Sequence, residues 1–291
     1  MELAAGGVAV TITVAVAVAV LLREYSAMLR HSLTPPLMRG GVAQRVLLLL
    51  FHTFTWLRRV KPEVLRRRMR EEALDTARRL ESSERASERV SEGVMPARPG
   101  GVMLVGSSTF TYWRHSRLQL DLAPLHVPVY NAAFGGSCTE DVVLHMERLC
   151  TQHMPQVVVY FCGTNDVAQG LPPSSVLQGF ELFLARLHEK CPDTHVIYLG
   201  VTVTPFFVKF NINGAVAAAR EANALVENFC NKRENASKVT FITTDSQEEE
   251  TIFASDPANY LGDLHHLNDK GHHALALLLM PSICAAITSY G

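Results

Sequence analysis

Four short clusters of small and polar residues interrupt otherwise apolar stretches of the chain. They are Gly106-Ser107-Ser108-Thr109, Asn131-Ala132-Ala133-Phe134-Gly135-Gly136-Ser137, Gly163-Thr164-Asn165-Asp166 and Asp263-Leu264-His265-His266-Leu267-Asn268. Taken singly, each is ordinary turn chemistry. Together they supply a hydroxyl nucleophile, a glycine backbone donor, a side-chain amide donor and an acid–base pair. A serine hydroxyl attacks well only when a base takes its proton during the attack. His266 is the candidate base, and Asp263, three residues earlier, reaches the same face of a single turn. There it would hold the imidazole in the productive tautomer and stabilise the imidazolium that forms.

The elements that must position these clusters are legible as β-rich runs at residues 102–106, 127–133, 157–163, 195–201 and 239–245. Amphipathic stretches separate them, for example 142–153 and 174–190. Continuous apolar strands alternating with helices predict a mainly parallel sheet covered on both faces. In such sheets the ligand site lies beyond the carboxyl ends of the strands. The first three clusters directly follow predicted strands, and the fourth stands near the carboxy terminus.

The four clusters, in this order, resemble the blocks of the SGNH hydrolase superfamily, the GDSL-type esterases and lipases, over about residues 102–290. That resemblance implies a three-layer α/β/α domain with a five-stranded, flavodoxin-like sheet. It puts the nucleophile, the third residue of the family's Gly-Asp-Ser, on Ser108. This chain departs from the block by carrying Ser107 in place of Asp. The second block's glycine falls on Gly136, with Gly135 beside it. The Gly-x-Asn-Asp block is intact and places a side-chain donor at Asn165, and the Asp-x-x-His block is intact as Asp263 and His266. The expected catalytic residues are therefore Ser108, Asp263 and His266. The backbone N–H groups of Ser108 and Gly136 and the Asn165 amide form the expected oxyanion hole, a kind of site in which one lost donor costs about 10²- to 10³-fold in rate. The implied activity is hydrolysis of a carboxylic ester, acyl or acetyl, through an acyl-enzyme. Lipid or lysophospholipid esters are among the candidates, and no cofactor or metal is called for. An acyltransferase or deacetylase acting on a carbohydrate or lipid hydroxyl is the alternative, as is a non-catalytic binding protein on the same fold.

Other residues in these blocks have competing readings. Ser107 is the rival nucleophile. Asp263, His265, His266, His272 and His273 together suggest a zinc cluster, but adjacent histidines point different ways and no HExxH frame exists. Asp166 reads as a turn or cap residue, and Tyr112 and Trp113 as packing for the first helix. Phe206, Phe207 and Phe210 suit either an acyl pocket or the core.

The 291 residues carry 27 Lys and Arg against 28 Asp and Glu, a net charge of -1, so no global basic field points to nucleic acid. With 48% hydrophobic and 19% charged residues, the chain is not a disordered one. None of the six cysteines forms a CxxC pair, and most lie in apolar runs that suit buried thiols, such as those around Cys162 and Cys284.

A mean hydropathy of +0.11 is high for a soluble protein. Much of the excess sits in Leu3 to Leu22, twenty positions without a charge. As a helix they would span ~30 Å, a bilayer's hydrocarbon thickness. Arg23, Arg30, Arg39 and Arg45 all follow this run and no basic side chain precedes it. A single-pass anchor with the catalytic domain in the cytoplasm is thus expected, with a secreted or lumenal protein as the alternative. A second apolar run at 46–57 is too short to span comfortably and reads as an interfacial or packed helix. Residues 58–92 are highly charged, with seven basic residues and one acidic residue from Arg58 to Arg70. This stretch suits either anionic headgroups or a solvated helix with a flexible spacer. The breaker at 93–101 completes the expected organisation: an anchor at 1–23, a juxtamembrane helical and charged linker at 24–97, and a hydrolase domain at 98–291.

Overall fold

A computed structural model describes residues 41–90, 101–244 and 256–289. The apolar run at 3–22, the breaker at 93–100 and the end of the last predicted strand run lie outside the described residues. Among the described residues two helices come first, α1 (Gly41–Val60) and α2 (Pro62–Val90). After them run β1 (Val102–Gly106), α3 (Ser108–Thr111), α4 (His115–Asp121), β2 (Val129–Asn131), α5 (Thr139–Leu149), β3 (Val157–Phe161), α6 (Thr164–Ala168) and α7 (Pro173–Lys190). The chain continues through β4 (His195–Leu199), α8 (Pro205–Phe210), α9 (Ala215–Cys230), β5 (Val239–Ile242) and α10 (Asp269–Thr288). All strands are parallel, in the order β2-β1-β3-β4-β5.

Period-two alternation sorts the strand side chains into two cores. Met103, Val105, Val158, Tyr160 and Tyr198 face the layer that includes α5, α7 and α9. Val102, Leu104, Val157, Val159 and Ile197 face the layer of α4 and α10. Burial on both faces is why these strands read as unbroken apolar runs, and it produces the expected three-layer fold. Three of the predicted strand runs continue two residues past the observed ends at Asn131, Phe161 and Leu199. Those last residues turn out of the sheet to begin the loops that carry the polar clusters.

The charged stretch differs from the solvated helix and spacer expected of it. Residues 62–90 form one helix in which Leu65, Met69, Ala73, Thr76, Ala77 and Leu80 are buried. From α1, Leu47, Phe51 and Phe54 join the same core as the sheet. The spacings of three and four residues conceal an apolar stripe among arginines and glutamates. Each fully buried Leu, Phe or Met contributes roughly 1.5–3 kcal/mol, so this stripe outweighs the charged composition. The run at 46–57 is accordingly a packed helix.

Among the described residues one helix, α10, is long and apolar enough to cross a membrane. It is the helix whose Leu275, Ala276, Leu279 and Ile283 fill the second core. Of the six thiols, none is in a disulfide and five are buried. Cys284 differs from its apolar-run reading: it lies on the solvent side of α10 and is exposed.

Candidate active site

Ser108 is the first residue of α3, directly beyond the carboxyl end of β1. The chain can make that turn because residue 106 is glycine: a Cβ there would stand 2.0 Å from the Phe161 carbonyl oxygen of the neighbouring strand. The Ser107 N–H donates to the same carbonyl (3.3 Å), and the Ser107 carbonyl accepts from the N–H groups of Phe110 and Thr111 (both 3.2 Å). Ser107 is thereby held in the turn, with 1% of its surface exposed, while Ser108 is half-buried at the rim.

His266 Nε2 lies 3.1 Å from Ser108 Oγ, and its Nδ1 lies 2.7 Å from Asp263 Oδ2. The other Asp263 oxygen accepts from the backbone N–H groups of His265 (2.9 Å) and His266 (3.0 Å). Leu264 adopts the left-handed conformation (φ 62°), which folds the carboxylate back onto those two amides. Burial by itself would raise the Asp263 carboxyl. The His266 ring beside it and the hydrogen bonds from His266 and the His265 N–H outweigh it and hold the group down to about 2. A carboxylate has no proton to give, so Nδ1 donates and the Nε2 lone pair faces the serine hydroxyl.

Gly136 sits between β2 and α5 with φ 80°, a conformation that favours glycine. Its loop is tied at several points. The single Ser137 hydroxyl proton is shared between the Phe134 carbonyl (3.0 Å) and the Gly106 carbonyl (3.2 Å). Asn165 Nδ2 donates to the Ser137 carbonyl (2.9 Å). Asp141 accepts from the Cys138 N–H (2.9 Å), and Asp166 accepts from the Thr139 N–H and hydroxyl (3.1 and 2.7 Å). Asp166 is thus a buried tie between two loops.

The histidines of the fourth cluster diverge. His265 is enclosed by Phe51, Phe206 and Phe207, with Nδ1 3.1 Å from Thr204 Oγ1. Burial, with His266 alongside, presses its pKa down to about 3. His272 contacts the Thr109 carbonyl (2.9 Å) and stacks on Trp113; burial lowers it to about 4. His273 contacts Asp121 Oδ1 (2.9 Å). Among the described residues no group of three or more His, Cys, Asp or Glu is arranged to hold a metal ion. Phe206 and Phe207 are fully buried in this aromatic box, and Phe210 is half-buried.

Two features of the site lay beyond sequence reasoning. Tyr112, expected to pack the first helix, lies flat against His266. The helix pair α1–α2 touches the Asp263–His266 turn, the Gly136 loop and the end of the short helix that carries Asn165. Gln44 Nε2 donates to the Gly262 carbonyl (3.2 Å), and Phe51 packs on His265. Arg58 Nε donates to Gln169 Oε1 (2.7 Å), and its guanidinium lies 3.5 Å from Glu140 and 3.8 Å from Asp141. Met69 lies against Gly136, and Thr76 Oγ1 reaches the Ala133 carbonyl. The apolar spacing within the charged stretch was the available signal for this packing.

A parallel α/β/α sheet with a serine, a histidine and an aspartate converging beyond its strand ends defines an ester hydrolase of the SGNH type. The chain belongs to the GDSL-like Lipase/Acylhydrolase family, which matches residues 101–274. A GDSL-like lipase from Bacteroides thetaiotaomicron has a similar structure (18% identity, TM-score 0.52), covering 69% of this chain and 97% of its own. So has a carbohydrate esterase family 3 protein from Talaromyces cellulolyticus (16% identity, TM-score 0.51; 65% of this chain, 98% of its own). A lipase/acylhydrolase from Enterococcus faecalis is comparable (16% identity, TM-score 0.51; 63% and 95%). At these identities the likeness concerns the fold. No curated protein matches the sequence. The chain is an acyl ester hydrolase, and α1 and α2 precede the part that matches the family.

Proposed function

We propose that the chain is a serine esterase that works through an acyl-enzyme, with Ser108 as nucleophile, His266 as general base and then general acid, and Asp263 as the group that orients it. One observation carries this reading: His266 lies 3.1 Å from the Ser108 hydroxyl by one ring nitrogen and 2.7 Å from the Asp263 carboxylate by the other. Ser108 Oγ attacks the ester carbonyl as its proton passes to Nε2. The imidazolium, balanced by Asp263, then protonates the departing alkoxide. Water repeats the sequence to release the acid and restore Ser108. Charge on the tetrahedral oxygen is met by the N–H groups of Ser108 and Gly136 and the amide of Asn165. The left-handed backbone at Gly136 and the tie from Asn165 to the same loop support this assignment.

The substrate is an acetyl or longer acyl ester, with lysophospholipid esters favoured if residues 3–22 anchor the chain in a bilayer. The twenty uncharged residues of that run and the arginines that follow it support a single-pass anchor with a cytoplasmic hydrolase domain. The hydrolase domain proper starts near residue 98, with α1 and α2 as an N-terminal addition docked upon it.

The test is turnover of p-nitrophenyl esters from acetyl to long acyl by the full chain in detergent, beside Ser108→Ala. Serine-dependent turnover is expected, and the preferred chain length separates an acetylesterase from a lipase. A folded Ser108→Ala protein with undiminished turnover would overturn the assignment.

A further inference from the structure

Four large apolar side chains that face solvent gather on the helix pair. They are Leu49, Trp56 and Val60 of α1 and Val64 of α2, which are 46, 46, 55 and 47% exposed. Spacings of seven and four residues put the first three on one stripe of α1. That stripe lies opposite Leu47, Phe51 and Phe54, which are buried in the core. Scattered exposed apolar residues need no explanation, but a stripe along one helix does.

Its neighbours are basic. Arg45, His52 and Arg59 are exposed along one side of the stripe. Lys61, Arg66, Arg67 and Arg70 are exposed where α2 begins, with Glu63 the one exposed acid among them and Arg67 pairing locally with Glu71 (3.1 Å). In a chain of net charge -1 this is a concentrated basic patch.

The chain ahead of α1 indicates the occupant. Eighteen residues separate Leu22, the end of the twenty-residue uncharged run, from Gly41. They reach at most ~60 Å, so a bilayer that accepts that run lies within reach of α1. They carry Arg23, Arg30 and Arg39 against a single acid, Glu24. Tryptophan with flanking arginines is the composition of a membrane–water interface, and basic residues are drawn to anionic lipid.

We propose that the outward faces of α1 and the start of α2 form a docking surface for an anionic bilayer. Leu49, Trp56, Val60 and Val64 enter the boundary between headgroups and acyl chains, and the surrounding arginines and Lys61 meet lipid phosphates. Because the opposite faces of these helices hold the Asp263–His266 turn and the Gly136 loop, docking fixes the orientation of the site relative to the lipid surface.

The chain's two tryptophans make the test direct, since Trp113 is 1% exposed and Trp56 is 46% exposed. The full chain is incorporated into vesicles with brominated acyl chains, of phosphatidylcholine alone or mixed with phosphatidylserine. Trp56→Phe gives the background from Trp113. The expected result is a blue-shifted Trp56 signal quenched by bromine in the anionic vesicles. It should be lost in phosphatidylcholine, at ~1 M salt where screening falls to ~3 Å, and in Arg59→Glu/Lys61→Glu/Arg66→Glu. A chain that floats with the vesicles while Trp56 stays unquenched overturns the docking surface without touching the anchor. Equal quenching in both lipids overturns its electrostatic basis. A blue shift without quenching means that the stripe is covered by protein, and likewise overturns the proposal.

Discussion

The phenol ring of Tyr112 lies flat on the imidazole of His266, with ring centroids 4.1 Å apart and planes 8° from parallel. Tyr112 closes the short helix that starts with Ser108, its N–H bonded to the Ser108 carbonyl (2.9 Å). The element that presents the nucleophile therefore also sets the plane of the base. Aromatic pairs of this kind contribute about 0.5–1.5 kcal/mol. Tyr112→Leu is expected to lower kcat about three- to ten-fold on p-nitrophenyl acetate, and Tyr112→Phe to stay near the parent. Equal losses in both variants would show that the hydroxyl, and not the ring, matters.

Asn165→Ala is expected to lower kcat by about 10²- to 10³-fold with little change in KM, as for the loss of one oxyanion donor. The same substitution removes the bond to the Ser137 carbonyl, so a loss of about 1 kcal/mol in stability accompanies it. A kcat loss under ten-fold in steady-state assays would assign Asn165 to loop support alone.

Arg58 joins α1 to Gln169 and to the carboxylates of α5, one of which, Asp141, caps that helix. Burial pushes the Asp141 carboxyl up to about 6 against the pull of the Cys138 N–H and Arg58. Arg58→Ala is expected to destabilise by about 1–3 kcal/mol in urea unfolding, because a charge-assisted bond is lost beside the buried Asp141 carboxylate. Arg58→Lys, which keeps the charge but not the planar fork, should fall between the two. An Arg58→Ala midpoint equal to the parent's would mean that Arg58 adds nothing to the docking of the helix pair.

The buried His265 makes stability depend on pH. Unfolded, it takes a proton below about 6.5; folded, it resists until about 3. The folded state therefore loses ground as pH falls through 6.5, by about 2 kcal/mol at pH 5. His272, lowered to about 4, acts in the same direction, whereas Asp141, raised to about 6, opposes both. His265→Leu should lose less Tm between pH 7 and pH 5 than the parent, whatever its stability at pH 7. An identical Tm loss in calorimetry would remove His265 as the source.

The sequence by itself determined the sheet and the chemical inventory. Strand starts at 102, 157, 195 and 239 were legible because parallel strands buried on both faces must be continuously apolar. Asp263 and His266 were legible as a pair because three residues of separation is a local relationship. The separation of 158 positions between Ser108 and His266 carries no such local signal, and only the parallel order β2-β1-β3-β4-β5 brings the two to 3.1 Å. Tyr112 was misassigned for the same reason: its partner lies on the far side of the chain. The packing of α2 on the sheet was not legible because composition follows the exposed face. Arginine and glutamate dominate α2 by number, while six buried positions decide where it packs. Local spacing fixes which groups can act together within a turn, and the long-range closure of the sheet decides which turns meet.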